Sequence, residues 1–111
     1  MIEMLKSKIH RIPITEANLD YIGSLTLDED WMDSSGIREY EKITVVNIQN
    51  GERLETYAIR GARGSRVCCL NGPAARKGMV GDIVIVLSYA QMTPEEADGF
   101  VPAIFIPQQD R

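Results

Sequence analysis

The sequence predicts a mainly β protein, and three observations carry that reading. Short runs rich in β-branched, tyrosine and leucine residues recur along the chain, glycine, proline and asparagine clusters separate them, and the intervening stretches hold only short helical turns. Together these point to a small closed β-barrel. With 111 residues, 44% hydrophobic and 25% charged, the chain has room for one core, so 1–111 is read as one domain.

Met4 to Thr15 alternates imperfectly, with Leu5 and Ile9 on one face and Lys6, Lys8 and His10 on the other, as a strand with one wet side does. It ends near Pro13. Asp20 to Leu27 reads as a second strand, although Gly23-Ser24 sits in its middle, where glycine weakens a strand. Asp28 suits a helix N-cap for Glu29 to Ser35, with acidic residues in the first turn and Gly36 at the stop.

Lys42 to Gln49 and Arg53 to Arg60 flank Asn50-Gly51, the dipeptide that best tolerates the positive φ angles of a type I′ turn, and so predict a hairpin. Arg66 to Leu70 is another short strand, broken by Asn71 to Ala75. After Gly81-Asp82, the continuous apolar run from Ile83 predicts a strand to Tyr89 buried on both faces. Thr93-Pro94-Glu95-Glu96 carries an N-cap, a proline at the first helical position and a glutamate three after the cap, which predicts one helical turn. Val101 to Ile106 closes the series as the last strand.

Composition limits the partners. Twelve basic and sixteen acidic residues give a net charge of -4, and the pair Arg76-Lys77 is the longest basic run, so nucleic acid and anionic membrane are poor expectations. The apolar stretches are far below the roughly 20 residues of a spanning helix. The first ten residues, with Glu3, Lys6, Lys8 and His10, lack the apolar run of a secretory signal, and the adjacent Cys68 and Cys69 do not make a disulfide framework. Cytoplasmic residence is expected. His10 is the only histidine, so no metal cluster built on histidines is expected.

Several strings in order then resemble one family. They are Met4-Leu5-Lys6-Ser7-Lys8-Ile9-His10-Arg11, Asp20-Tyr21-Ile22-Gly23-Ser24, Asn50-Gly51-Glu52-Arg53, Thr56-Tyr57-Ala58-Ile59, Arg63-Gly64-Ser65, Asn71-Gly72-Pro73-Ala74-Ala75 and Gly81-Asp82-Ile83-Val84-Ile85. From residue 1 to about 106 the chain resembles aspartate 1-decarboxylase. The resemblance implies a six-stranded double-psi β-barrel with short helical turns, assembled as a homotetramer with active sites between subunits. It also implies decarboxylation of L-aspartate to β-alanine, supplying pantothenate and coenzyme A synthesis.

In that family the cofactor is a pyruvoyl group made from the chain, and neither a metal nor pyridoxal phosphate is expected. The matching bond here lies between Gly23 and Ser24, so the resemblance implies self-cleavage into 1–23 and 24–111. A maturation factor is one further partner the family leaves open. Glycine at 23 is read as allowing a strained peptide that brings the Ser24 hydroxyl onto the Gly23 carbonyl. The pyruvoyl ketone condenses with the substrate amine to a Schiff base and serves as electron sink. An isolated Gly-Ser pair would ordinarily be a strand bulge; the flanking strings reverse that reading.

Residue by residue, the resemblance makes Ser24 the cofactor precursor and Tyr57 the proton donor. Thr56 matches the residue that assists cleavage and touches substrate. Thr56 and Tyr57 are strand neighbours and should point to opposite faces, a conflict that a subunit boundary would resolve. Lys8 and Arg53 are the candidates for the two substrate carboxylates. Gly72, Pro73 and Ala74, with Ala75 beside them, match a turn whose N–H groups cradle a carboxylate, although Pro73 has no N–H to give. Asn71 is a candidate to hold the cleavage-site or pyruvoyl carbonyl. Tyr21 and His10 are lesser candidates, while Cys68 and Cys69 read as small buried hydrophobes. The rival readings are an unprocessed proenzyme and a small-molecule-binding barrel that never cleaves.

Overall fold

The computed structural model describes residues 1–107. Eight strands are present: β1 (Ile2–Pro13), β2 (Glu16–Asn18), β3 (Ser24–Asp28), β4 (Lys42–Asn47), β5 (Arg53–Gly61), β6 (Cys68–Asn71), β7 (Ile83–Met92) and β8 (Ala103–Phe105). Between them stand α1 (Glu29–Ser35), a 3₁₀ turn (Gly72–Arg76) and α2 (Pro94–Asp98). The mainly β class with short helical turns is as the sequence predicts. The count is eight rather than six because β2 and β8, three residues each, add to the longer strands as parallel edge pieces on β6 and β1. Pairing runs in the order β2-β6-β3-β5-β4-β7-β1-β8, and the two ends of that ladder are not paired to each other.

β1 and β7 form the longest pair, antiparallel, with irregularities between Leu5 and Ser7 and between Ile9 and Ile12. Arg11 sits in the second with φ 64°, the conformation a bulge supplies to re-aim a strand. Buried residues make one cluster, including Ile9, Ile12, Leu25, Leu27, Ile43, Val45, Val84 and Val86.

Asp28 ends β3, and its carboxylate accepts from the N–H groups of Asp30 (2.9 Å), Gly64 (3.1 Å) and Arg66 (2.8 Å). It therefore caps α1 and at the same time ties down the Arg63-Gly64-Ser65 loop. Gly36, at φ 76°, closes α1 as expected. The Thr93 capping box on α2 is formed in both directions.

Five local expectations are corrected. The strand predicted over 20–27 begins only at Ser24, because the preceding residues turn away and Tyr21 and Ile22 are exposed. The β4–β5 hairpin does not use a two-residue type I′ turn. Its loop spans 48–52 with positive φ at Gly51 alone, since the Asn47 side chain takes the N–H groups of Gln49 and Asn50 and widens it. β7 buries alternate residues (Val84, Val86, Ser88) rather than both faces, because within one chain only one side of it is covered. β6 starts at Cys68, not Arg66, which takes φ 62° as the loop around Asp28 enters the strand, and β8 is shorter than predicted.

Candidate functional site

β3 and β6 run antiparallel with Ser24 opposite Asn71 and Thr26 opposite Cys69. Residues two apart on a strand share a face, so these four side chains form a square on one side of the pair. Asn71 binds it together. Its Nδ2 donates to Ser24 Oγ at 2.9 Å and to Thr26 Oγ1 at 2.8 Å, while its Oδ1 accepts from the Cys69 thiol at 3.1 Å. The Ser24 hydroxyl donates to the Ile22 carbonyl at 3.3 Å. Ser24 and Asn71 are both buried.

Past Asn71 the chain turns sharply. Gly72 has φ 66°, and a Cβ there would stand 2.8 Å from the Gly23 Cα and from the Tyr21 carbonyl oxygen. The 3₁₀ turn thus lies flush on the 21–23 segment, which only glycine at 72 permits. Gly23 itself is less constrained than the sequence suggested. Its φ is outside the left-handed region, and an added Cβ would meet Pro73 Cδ at an ordinary 3.6 Å. The left-handed conformation and the close backbone approach fall at Gly72.

A cavity of about 400 Å³ opens beside this junction, lined by Gly23, Leu54, Glu55, Thr56, Tyr57, Pro73, Ala74 and Lys77. Thr56 and Tyr57 both line it within a single chain. β3 pairs with β5 from Leu25 opposite Ala58 onward, so at residues 54–57 that edge of β5 is unpaired and open to the cavity. Tyr57 also packs against Tyr40, with ring centroids 6.2 Å apart. A slightly larger cavity of about 450 Å³ lies against α1, but Arg60 and Glu39 in its lining are already paired at 2.9 Å and no candidate residue faces it.

The other expected binders are elsewhere in this chain. Arg53 lines a separate cavity of about 430 Å³ with Glu3, Lys42 and Tyr89 among others. Lys8 and His10 lie on β1, Lys8 in register with Leu87 and Ile104. Neither Lys8 nor Arg53 has an ion-pair partner among the described residues. His10 Nδ1 is shut off from solvent without a hydrogen-bond partner, and burial, then the charges of Lys8 and Arg11, hold the imidazole below its usual 6.5. Tyr21 is 56% exposed, with its carbonyl rather than its ring against Gly72, and Ala75 packs toward the core. Among the described residues no group of three or more histidine, cysteine, aspartate or glutamate side chains is placed to hold a metal.

Thr26, Cys69 and Lys77 complete the site and were not anticipated. The first two were legible in principle, since each stands two residues from a candidate on the same strand. Lys77 was not, because only the fold brings it to the cavity, where it pairs with Glu52 at 2.8 Å.

Comparison with known proteins points the same way. The family model described as aspartate decarboxylase matches residues 1–111. The chain is 58% identical to the aspartate 1-decarboxylase of Parabacteroides distasonis over 96% of its own length and 91% of that protein's. It is also 58% identical to that of Cytophaga hutchinsonii, over 96% and 92%, and to that of Caldicellulosiruptor saccharolyticus, over 94% and 81%.

Proposed function

This chain belongs to the aspartate decarboxylase family, and from that premise we propose how it works. It decarboxylates L-aspartate to β-alanine and carbon dioxide, in the route to pantothenate, and it does so with a pyruvoyl group made from its own Ser24. The supporting observation is the 2.9 Å hydrogen bond from the Asn71 amide to the Ser24 hydroxyl, held where Gly72 packs on Gly23.

Cleavage begins when Ser24 Oγ attacks the Gly23 carbonyl carbon. The C–N bond breaks and an ester forms, with the amine of residue 24 set free. The Asn71 N–H group suits this step because it stabilises negative charge on Oγ as the hydroxyl proton leaves. β-Elimination then expels the Gly23 carboxylate and leaves dehydroalanine at residue 24. One water enters and one ammonia departs, so the products are 1–23, ending in a carboxylate, and 24–111, beginning with the ketone. The last four residues of that second piece lie outside the described part of the structure.

The site fits such a group. Residue 24 is buried, a side-chain amide faces its Oγ, and the cavity beside it is about 400 Å³ with small residues at Gly23 and Ala74. Once formed, the pyruvoyl group supplies the carbonyl that accepts the electrons released with carbon dioxide. Thr56 and Tyr57 then act from the β5 edge, Thr56 as a hydrogen-bonding contact and Tyr57 as the phenol that returns a proton to carbon. Pro73 and Ala74 line the same cavity, and Gly72 seats the turn that carries them on the 21–23 segment.

Tyr21 is a lesser contributor beside Gly23, and Lys8 and Arg53, with His10 as a further lesser one, complete the site from a neighbouring subunit of a homotetramer. Their separation from the Gly23 cavity within one chain supports that arrangement, as does the lack of an ion-pair partner for Lys8 and Arg53. The two free cysteines, both buried, accord with a reducing cytoplasm. No helix among the described residues is long and apolar enough to cross a membrane.

Denaturing mass spectrometry of the purified protein tests the proposal. It should show 1–23 apart from a piece starting at residue 24 and lighter than its serine form by one ammonia. The Ser24→Ala chain should stay whole and make no β-alanine. An uncut parent chain would leave the rival readings, an unprocessed proenzyme or a barrel that binds small molecules without cleaving, and β-alanine from Ser24→Ala would remove Ser24 from the mechanism.

A further inference from the structure

In the Ser24, Thr26, Asn71 and Cys69 square, Cys69 holds the oxygen end of the Asn71 amide, and the chemistry above leaves it unused. Unlike Cys68, it stands outside the hydrophobic cluster, and its sulfur has polar neighbours on two sides. The thiol donates to Asn71 Oδ1 at 3.1 Å and also lies 4.0 Å from the Leu70 carbonyl oxygen.

A primary amide can face a pair of hydroxyls with either end. With Oδ1 toward Ser24, the hydroxyl would donate to it, and a carbonyl oxygen would oppose the negative charge that develops during attack. With Nδ2 toward Ser24, that charge is stabilised. The Ser24 hydroxyl donates to the Ile22 carbonyl at 3.3 Å and so is left to accept, which favours the N–H end. The third neighbour acts in the same sense from the other end of the amide. The thiol gives its S–H to Asn71 Oδ1 at 3.1 Å, and an S–H donor selects the oxygen end.

We propose that Cys69 is a positioning residue for chain cleavage: its thiol holds the Asn71 amide with the N–H end on Ser24. It touches neither the scissile bond nor substrate and acts only through Asn71. This rests on the Ser24 reading above.

The experiment compares the parent with Cys69→Val, Cys69→Ala and Cys69→Ser, following the cleaved fraction over time by denaturing mass spectrometry. The thermal midpoint of each is checked in a Ser24→Ala background, so that folding is scored apart from cleavage. Removing the donor should slow cleavage about tenfold in the valine and alanine variants. Cys69→Ser, which keeps an O–H donor, should return to within about twofold of the parent. Parent-like cleavage in both apolar variants overturns the proposal, and so does a serine variant as slow as valine. A second readout does not depend on cleavage. In the Ser24→Ala chain the Asn71 side-chain N–H protons should give nuclear Overhauser contacts to Thr26, and these should weaken when Cys69→Val is added. Unchanged contacts overturn the proposal. A parent chain that stays whole removes the Ser24 reading instead, and the contact measurement then decides this one alone.

Discussion

Gly72 and Gly23 are packed backbone against backbone, so closely that a Cβ on Gly72 would lie 2.8 Å from the Gly23 Cα and 2.9 Å from its nitrogen. The turn after Asn71 is therefore a template for the segment that precedes Ser24. A methyl group at 72 has to push that segment away, and it must also accept φ 66°, which costs an L-residue about 1–2 kcal/mol. Gly72→Ala should fold less stably and cleave poorly, whereas Gly23→Ala, facing only Pro73 Cδ at 3.6 Å, should fold normally. Intact mass and a thermal melt of both variants check this; a Gly72→Ala chain that cleaves at the parent rate contradicts it.

Tyr57 faces the same cavity as Thr56 because β5 has no partner strand on that edge. Tyr57→Phe keeps the ring that packs against Tyr40 and removes only the hydroxyl. The variant should cleave normally and lose about a hundredfold or more in β-alanine formation, the scale of a missing general acid. Single-turnover decarboxylation of the cleaved variant is the measurement, and undiminished turnover excludes Tyr57 as proton donor.

Asp28 accepts three backbone N–H groups from α1 and the Gly64 loop while almost fully buried. Asp28→Ala leaves those donors without a partner and should cost about 2 kcal/mol or more. Urea titration of the Ser24→Ala form against the double variant reads this directly. A loss within a few tenths of a kcal/mol would mean that water replaces the carboxylate.

Burial, and then the neighbouring Cys69, pushes the Cys68 thiol from 9.0 up to about 12. In the unfolded chain the same thiol ionises first, so above about pH 9 the folded state holds the extra proton. Stability should therefore fall as pH rises from 9 toward 12, with no contribution from this thiol below 9. The fall should be shallower in Cys68→Val, as measured by urea midpoints at a series of pH values. Identical pH slopes in the two proteins would show that Cys68 is not the source.

The class and most of the local structure are legible in the sequence. Alternation gave β1, the Asp28 and Thr93 caps gave both helices, and the strings around Gly23-Ser24, Thr56-Tyr57 and Asn71-Gly72 marked residues that the fold brings to one junction. These are local patterns, set by strand period, capping chemistry and turn residues within a few positions of one another.

Tertiary structure decided what those residues face. The register of β3 on β6 places the Asn71 amide on the Ser24 hydroxyl, and at the open edge of β5 two neighbouring residues line one cavity. Close backbone approach makes glycine a requirement at 72 as well. Lys8 and Arg53, grouped with the site by resemblance, lie apart from it within one chain. Strand register and backbone approach join residues distant in sequence, so no local pattern could have encoded them.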